Sequence, residues 1–350
     1  VMNSAVESVK KILLTMLLAL GVGAIIILVI GQNPIEAYAA LIKGAFVGKR
    51  AFGTTLASLT PLLLTTVAFA LAAKAGAFNV GVEGEVFLGG IVAAYIGINW
   101  TFLPKPLLLI ACFAGAIVVG AAWAFIPGIL KALYNVNEVC TTILMNTVAL
   151  YITSYLVNGP MSAGGANAQT PPVQVTLPKF LKPSNANVGL FIAIFVIVIV
   201  VIVLNKTNIG YKIRTVGLNP KHAEYVGINP RKVFVGTMMA SGAIGGIAGC
   251  IEVLGSYGYF LNNFAYNLGT NGMLASLIVK NDIVFGPFMA FFLAVLKSGA
   301  MGMQQNTGVP KSIIDTITAV FIIIATMELL SQIKIKRKKK KAVKEQEANA

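Results

Sequence analysis

The chain has 350 residues, of which 57% are hydrophobic and only 11% are charged, and its mean hydropathy is +0.83. Because a soluble globular domain carries about 25% charged residues, this composition excludes an ordinary soluble enzyme and predicts an all-α polytopic membrane protein. The net charge of +15 does not indicate a nucleic-acid partner, since eight of the 27 basic residues lie in one tail, Lys334–Lys344, directly after an apolar segment.

Apolar segments recur along the chain, and about 20 apolar residues suffice to cross a bilayer. The pattern predicts about ten membrane segments, with about eight as the lower bound. In chain order they are Ile12–Ile30, Thr54–Ala73, Glu85–Ile98, Leu107–Phe125, Val139–Val157, Val188–Leu204, Val233–Leu254, Gly272–Val279, Ile283–Met303 and Ile313–Leu330. The first is interpreted as a retained span rather than a signal peptide. Glu85–Ile98 and Gly272–Val279 are too short to cross simply.

Basic residues predict which side each loop faces, because cytoplasmic loops carry an excess of Lys and Arg. The loop at residues 205–232 has six basic residues and one acid, Glu224, which predicts a cytoplasmic location. The Gly-, Pro- and Asn-rich loop at residues 158–187 is then an irregular external loop, and both termini lie inside. Residues 1–333 are expected to form one transmembrane domain, followed by a basic cytoplasmic tail at residues 334–350 that contacts the lipid bilayer.

A short pattern occurs twice in the sequence. Phe78–Gly84 recurs as Tyr266–Gly272, and both copies have the form aromatic-Asn-aliphatic-Gly-x-x-Gly. Each copy precedes one of the two short apolar segments, and by the predicted orientation the copies enter the membrane from opposite sides. Such an arrangement is typical of an inverted pseudo-repeat with broken helices, although two unrelated glycine-rich turns would also produce it.

Polar groups in and near the two copies are candidates to line a solute pathway. A carboxylate at membrane depth is costly and usually functional, unless it faces water at the interface. The predicted pathway residues are Asn79, Glu83, Glu85, Asn267 and Asn271. Their amide and carboxylate groups suit hydrogen bonds to a polar solute. Asn146, in the middle of Val139–Val157, is interpreted instead as the donor or acceptor of an interhelical hydrogen bond.

Motifs for catalysis, metal binding and nucleotide binding are missing from the sequence. The string nearest to a phosphate-binding loop, Gly44–Arg50, has the wrong spacing and ends in Arg, so ATP binding through such a loop is not expected. His222 is the only histidine, which argues against a His-based zinc site or a Ser-His-Asp triad. No catalytic residue, metal or cofactor is therefore expected in this chain.

The stretch Arg214–Ile228, read as RTVGLNPKHAEYVGI, is the most distinctive polar part of the chain. Two Asn-Pro pairs, at residues 219–220 and 229–230, bracket it and predict a helix of about two turns over Lys221–Ile228. So short a helix needs a partner surface, so we expect it to dock a soluble protein and carry force into the membrane. A merely solvated connecting loop is the alternative. The expected apolar side consists of Ala223, Val226 and Ile228.

These residues resemble a known family. Arg214–Ile228 is similar to the cytoplasmic coupling-loop motif of ABC-importer permeases of the branched-chain amino acid/ribose group. Within that group it most resembles the nucleoside-type permeases that pair with basic membrane lipoproteins. Phe78–Gly90, read as FNVGVEGEVFLGG, is similar to the motif after the second main span of the family, and Gly308–Pro310 leading into Ser312–Thr318 is similar to the approach to its last span.

The resemblance covers about Ile12–Leu330 and differs from the family pattern at one informative position. Close nucleoside-type relatives usually carry Asp where this chain has Asn271, and the difference removes a charge near the expected pathway. Of the predicted pathway residues, Asn79, Asn271 and Glu83 are the ones expected to face the solute.

The resemblance implies a permease subunit of a bacterial ABC importer in the cell membrane, which moves nucleosides or a related small polar solute such as a sugar. It also implies three partners: an ABC ATPase subunit that binds the ATP, a second permease chain or a second copy, and an external substrate-binding lipoprotein. The residues expected to couple to the ATPase are Arg214, Gly217, Asn219, Pro220, Lys221, Ala223, Glu224, Gly227 and Ile228.

Two other functions stay open on the residues alone. A stand-alone secondary transporter would use Glu83 and Glu85 to carry protons or sodium, and its uptake would follow an ion gradient. A non-transporting membrane scaffold would recruit a cytosolic partner through Arg214–Ile228 and move no solute. The scaffold would leave the repeat and the broken helices without a purpose.

Overall fold

Helices form all of the named secondary structure in the residues that the computed structural model describes, which are 17–18, 20–310 and 312–320. The helices are α1 (Leu20–Val29), α2 (Pro34–Phe46), α3 (Lys49–Lys74), α4 (Val82–Asn99), α5 (Lys105–Tyr134), α6 (Glu138–Asn158), α7 (Gly189–Lys206), α8 (Asn208–Leu218), α9 (Pro220–Tyr225), α10 (Pro230–Ile251, continued by a π-helical turn over Glu252–Tyr257), α11 (Leu268–Ile278), α12 (Gly286–Thr307) and α13 (residues 312–320). The predicted all-α class is confirmed over these ranges.

Seven of the described helices are long and apolar enough to cross a membrane, and the count is eight if α1 and α2 together form one bent span. A helix occupies every predicted segment from Thr54–Ala73 to Ile283–Met303. The prediction of about ten segments is therefore reduced to seven or eight in the described part of the chain. The last predicted segment, Ile313–Leu330, is described only as far as residue 320.

The structure corrects one predicted boundary and adds one helix that was not predicted. The segment expected at Glu85–Ile98 begins three residues earlier, at Val82, and its 18 residues reach about 27 Å, which is enough to approach the thickness of a hydrocarbon core. The helix α2 was not expected at all. Glu36 and Lys43 interrupt its apolar run, and a bend of 120° separates it from α1.

The described residues divide into two compact units, one within Val1–Gly44 and Gly299–Ala350 and the other over Ala45–Ser298. Within the first unit, α2 and α12 approach at backbone distance, because a Cβ on Gly44 would lie 2.6 Å from the Cα of Gly302. Small residues at such a crossing let two helices pack without side chains between them.

In the second unit α10 is central, with α3, α4 and α5 packed around it. Glycines on α10 make these contacts possible. A Cβ on Gly249 would overlap the carbonyl oxygen of Val86 in α4, and a Cβ on Gly242 would overlap that of Gly120 in α5. The glycines of α10 therefore serve close helix packing. Most of α3 and α4 is buried, whereas less than a third of the apolar stretch of α5, of α6 and of α7 is buried.

The loop predicted as irregular and external, residues 158–187, contains an ordered extended stretch that we call the strap (residues 168–177). Every second side chain in its last part is buried: Val173, Val175 and Leu177. Backbone N–H groups of the strap donate to carbonyl oxygens between Leu254 and Phe260 at 2.8–2.9 Å. The strap therefore buries alternate residues and pairs part of its backbone, as a strand does, although it belongs to no sheet in the described part of the chain. The location of this loop outside the membrane stays a prediction.

Candidate functional site

A buried polar chain ties three helices together at the turn before α4. The Nδ2 of Asn79 donates to Oε1 of Glu85 at 2.8 Å and to Oγ of Ser241 at 2.9 Å. Ser241 in turn donates to the carbonyl oxygen of Ala68 in α3 at 2.7 Å. The Oδ1 of Asn79 accepts from the backbone N–H of Gly81 at 3.1 Å. The side chain of Asn79 therefore connects α3, α4 and α10, with both of its N–H donors used.

Glu85 is a buried carboxylate with incomplete pairing. Glu85 is only 1% exposed, and its Oε2 has no hydrogen-bond partner among the described residues. Gly245 of α10 leaves the space for this oxygen, since a Cβ there would lie 2.7 Å from it. A buried acid without a basic partner is costly, and such groups in membrane proteins are usually functional.

Asn146 of α6 clamps the same turn from the opposite direction. Its Oδ1 accepts from the backbone N–H of Gly84 at 2.8 Å, and its Nδ2 donates to the carbonyl oxygen of Val80 at 2.9 Å. Both bonds reach the start of α4, so the interpretation of Asn146 as an interhelical hydrogen-bonding residue is confirmed. The turn Asn79–Gly84 is thereby held by side chains from α6 and α10.

The two copies of the repeated pattern meet in space, although 188 residues separate their equivalent positions, such as Asn79 and Asn267. Oε1 of Glu83, in the first turn of α4, accepts from the backbone N–H of Asn267 at 3.2 Å. Oε2 of the same carboxylate accepts from Oγ1 of Thr270 at 3.4 Å. Because the first N–H groups of a helix lack intrahelical partners and carry partial positive charge, Glu83 caps α11 from another helix.

The second copy is held by close backbone contacts, whereas the first copy is held by side-chain hydrogen bonds. A Cβ on Gly269 would lie 2.5 Å from the backbone nitrogen of Glu83, and one on Gly272 would overlap Thr65 in α3. Asn267 precedes α11 with φ 61°, a left-handed conformation that Asn tolerates better than most residues. The second copy therefore lies directly against α3 and the start of α4.

The predicted pathway residues divide into two groups by exposure. Asn267 is exposed, and Glu83 and Asn271 are half-buried, with both carboxylate oxygens of Glu83 bonded to the second copy. Asn79 is fully buried and Glu85 nearly so, and both contact other helices. The expectation that Asn79 faces the solute is corrected in this respect, because its hydrogen-bonding capacity is used inside the protein.

The predicted coupling loop, residues 205–232, is largely helical rather than a loop. α8 begins after Thr207, whose Oγ1 accepts from the N–H of Gly210, and α9 begins after Asn219, whose Oδ1 accepts from the N–H of His222 at 3.2 Å. The predicted helix start at the first Asn-Pro pair is confirmed. α9 ends at Tyr225, earlier than the predicted Ile228, and Gly227 with φ 78° turns the chain away.

The apolar side that was expected to face a partner is turned mostly toward the protein itself. Ala223 is fully buried and Ile228 nearly so, and both pack with Val216 of α8 and Val233 of α10. Val226 alone of the three expected residues stays exposed. The prediction is therefore corrected: the buried pair attaches α9 to α8 and α10, because a six-residue helix needs tertiary contacts to hold its shape.

The exposed surface of α8 and α9 has a different composition. Its most exposed large side chains are Leu218 and Tyr225, which are 88% and 89% exposed. Lys221 and Glu224 flank them as solvent-exposed charges. Exposed apolar residues rimmed by charges are typical of a protein–protein contact surface.

α8 rests directly on the end of α3. A Cβ on Gly217 would overlap the carbonyl oxygen of Lys74, so the two backbones touch at this point. Arg214, another predicted coupling residue, donates from Nη1 to Oδ1 of Asn205 at 3.3 Å and otherwise faces solvent. At Gly217 the contact between α8 and α3 is therefore one of backbone with backbone.

Ser241 and Thr270 belong to the site but were not predicted from the sequence. Ser241 supplies the link between Asn79 and α3, and Thr270 supplies the second bond to Glu83. Thr270 lies inside the second copy of the pattern, so its place in the repeat was the available signal. Ser241 had only a weaker signal, a hydroxyl beside a close-packing glycine in an apolar helix.

The family model described as branched-chain amino acid transport system / permease component matches residues 51–329. Over its whole length the chain is also similar to the nucleoside ABC transporter permease protein NupB of Lactococcus lactis, with 32% identity over 99% of this chain and 98% of the relative. The guanosine ABC transporter permease protein NupP of Bacillus subtilis is 32% identical over 94% of this chain and 96% of its own length. The glucose ABC transporter permease protein TsgB13 of Haloferax volcanii is 30% identical over 92% and 88%.

Proposed function

This chain belongs to the branched-chain amino acid transport system / permease component family, and from that membership we propose that it is the membrane-spanning permease subunit of an ATP-binding-cassette importer. The observation that carries the proposal is the similarity to two nucleoside-type permeases over more than nine tenths of the chain. Nucleosides are the proposed solute class. The similarity to a glucose permease makes a sugar the related alternative.

The solute pathway is proposed to run past the place where the two copies of the pattern meet. Glu83, Asn267 and Asn271 are partly or fully exposed there, and their groups suit the hydrogen-bonding edges of a nucleoside. Asn79 and Glu85 hold the helices that form this place, and would reach the solute only in another conformation of the cycle.

Inverted topology of the two copies is proposed as the basis of alternating access. Helix starts that meet at one site, with Glu83 of one copy capping the helix of the other, suit an inverted repeat of broken helices. Rocking of one copy against the other would open the pathway to each side in turn. Counting α1 with α2, and adding α11 and α13, would bring the number of membrane segments up to the ten expected.

ATP is proposed to bind to a separate ABC ATPase that docks on α8 and α9. Leu218, Tyr225 and Val226 give the contact surface, with Lys221 and Glu224 beside them for register. Gly217 would pass the motion to α3 through its backbone contact with Lys74. The predicted coupling residues Ala223 and Ile228 would act by fixing α9 to α8 and α10.

The remaining partners and the location are proposed on the basis of the family membership. An external substrate-binding lipoprotein would deliver the solute, and a second permease chain or a second copy would complete the pore. We place the chain in the bacterial cell membrane with both termini in the cytoplasm, residues 1–333 as the permease domain and residues 334–350 as a basic tail on anionic lipid.

Reconstitution tests the proposed function directly. The chain would be placed in proteoliposomes with its ATPase, second permease and lipoprotein, and uptake of a radiolabelled nucleoside would be measured with and without trapped ATP. Glu224→Arg is expected to abolish ATP-dependent uptake and binding of the ATPase. Lys105→Glu, a charge reversal on another exposed residue, serves as the matched control and is expected to leave both intact.

An ion-coupled secondary transporter is the second candidate, and the buried, incompletely paired carboxylate of Glu85 is the observation in its favour. Uptake that follows a proton or sodium gradient without the ATPase would favour it over the importer. A complex that assembles fully but moves neither a nucleoside nor a sugar would favour the membrane scaffold.

A further inference from the structure

An apolar groove of about 550 Å³ runs along the second unit between α7 and α10. One wall is formed by Val196, Val200 and Val203 of α7, and the floor includes Leu71 of α3. The opposite wall is a stripe of small and apolar residues on α10. Its members are Gly236, Ala240, Ala243, Ile244 and Ile247.

The groove is basic at one end only. Lys212 of α8 and Lys232 in the first turn of α10 line this end, where α7 has just ended. Both lysines are exposed, and neither forms an ion pair or a side-chain hydrogen bond within the described part of the chain. The predicted orientation puts this end at the cytoplasmic face of the membrane, where the anionic lipid headgroups lie.

The dimensions of the groove match one leaflet of a bilayer. From Gly236 to Ile247 the wall on α10 rises by about 16 Å at 1.5 Å per residue. Half of a hydrocarbon core is about 15 Å thick. An acyl chain that enters from the lysine end would therefore find apolar residues along most of its length. The outer face of α7 is itself exposed and strongly apolar, so the groove opens toward lipid.

We propose that this groove binds one anionic phospholipid, with an acyl chain between α7 and α10 and its phosphate on Lys212 and Lys232. Basic pockets between membrane helices on the cytoplasmic side are suited to acidic headgroups. A helix from a second copy of the chain would fill the apolar walls equally well. Such a helix would leave Lys212 and Lys232 unpaired, because apolar side chains cannot neutralise their charges.

The lipid would lie where motion is expected. It contacts α8 through Ile209, Lys212 and Ile213, next to the surface proposed for the ATPase. Binding there would brace α8 against α7 and α10. The binding itself does not rest on the proposed transport function and is measured without it.

Native mass spectrometry of the full chain in detergent, titrated with dioleoyl phosphatidylglycerol or dioleoyl phosphatidylcholine, tests the proposal. We expect one phosphatidylglycerol to be retained with at least tenfold preference. The double change Lys212→Gln and Lys232→Gln is expected to weaken that binding by about 10- to 30-fold, since each lysine near an anionic headgroup contributes to the attraction. The matched control is Lys105→Gln with Lys179→Gln, two exposed lysines outside the groove.

The groove itself is tested by filling it. A Cβ on Gly236 meets nothing within 4 Å, so Gly236→Phe projects a ring into open space and should displace the acyl chain, whereas Gly236→Ala should not. Circular dichroism would check that each variant is helical. Equal retention of both lipids by the unmodified chain overturns the proposal. So does unchanged binding in the lysine double variant, or efficient cross-linking of two chains through Gly236→Cys in a bilayer.

Discussion

The two copies of the repeated pattern have the same sequence form but are held in different ways. In the first copy, Asn79 is buried and bonded to Glu85 and Ser241, and Asn146 clamps the turn from α6. In the second copy the equivalent Asn267 is exposed and its side chain caps nothing in α11. Glycine contacts with α3 and α4 hold the second copy in place.

Because side-chain hydrogen bonds hold the first copy, we expect it to be the more rigid half of the site, and we expect the second copy to shift more readily. Side-chain hydrogen bonds in an apolar interior are directional and are lost when a helix moves by an ångström or two. Smooth backbone contacts at glycine tolerate such a shift more easily. Among the described residues, Glu83 joins the two halves by hydrogen bonds to Asn267 and Thr270.

The largest loss of stability should follow from removing the hydrogen bonds of Asn79 in the first copy. Asn79→Ala leaves Oε1 of Glu85 and Oγ of Ser241 without the donor they share, in a fully buried place. We expect a loss of about 2–4 kcal/mol in the free energy of unfolding. Thermal unfolding of the purified chain in detergent measures it. An unfolding midpoint equal to that of the unmodified protein would mean that this network does not hold the first copy.

A glycine pair compares the two halves at equivalent positions. A Cβ on Gly272 would overlap Thr65, whereas a Cβ on Gly84 would lie 3.0–3.2 Å from Asn146 and Ala149. Gly272→Ala should therefore cost about 1–3 kcal/mol by overpacking, and Gly84→Ala less than that. The two midpoints are compared under the same detergent. The reverse order would contradict the assignment of glycine contacts as the anchor of the second copy.

The link between the halves should show an intermediate effect. Glu83→Gln keeps one acceptor for the N–H of Asn267 but removes the charge that favours the start of α11. We expect a loss of about 1 kcal/mol, and faster hydrogen exchange confined to α11. Thr270→Val removes the other bond and provides the comparison. Faster exchange spread equally over α4 and α10 would argue that Glu83 does not act on α11 specifically.

The smallest effect on stability, with a separate effect on uptake, is expected for the exposed amides. Asn271→Ala removes a side chain that makes no hydrogen bond within the described residues. The free energy of unfolding should therefore change by no more than about 0.5 kcal/mol. If it binds the solute, the apparent KM for uptake should rise by about 3- to 10-fold. Unchanged uptake would remove Asn271 from the pathway.

Hydropathy predicted most of the helices, because a run of apolar residues long enough to cross a bilayer has few alternative structures. It failed where polar residues belong to helices. Glu36 and Lys43 concealed α2, and the polar sequence of α8 was interpreted as a loop. Turn chemistry located the start of α9 correctly, since an Asn followed by Pro is a strong helix entry and Asn219 caps it as expected.

The local sequence predicted which residues belong to the candidate site, but not which residues they contact. The repeat identified both halves of the site and four of its polar residues, Asn79, Glu83, Asn267 and Asn271. The identity of their partners depends on contacts between residues far apart in the chain, such as Asn79 with Ser241 across 162 positions. Local sequence does not contain that pairing. For the same reason Asn79 was expected to face a solute, although its donors are used inside the protein.

The strap separates the long loop at residues 158–187 into a part that can be altered and a part that cannot. Gly164 and Gly165 are exposed, and a Cβ on either meets nothing within 4 Å, whereas Val173 and Leu177 are buried and their backbone is paired. A peptide tag inserted between the two glycines should leave folding intact, while one at Val173 should prevent it. Antibody labelling of intact cells that carry the glycine-site tag would then report which side of the membrane this segment faces.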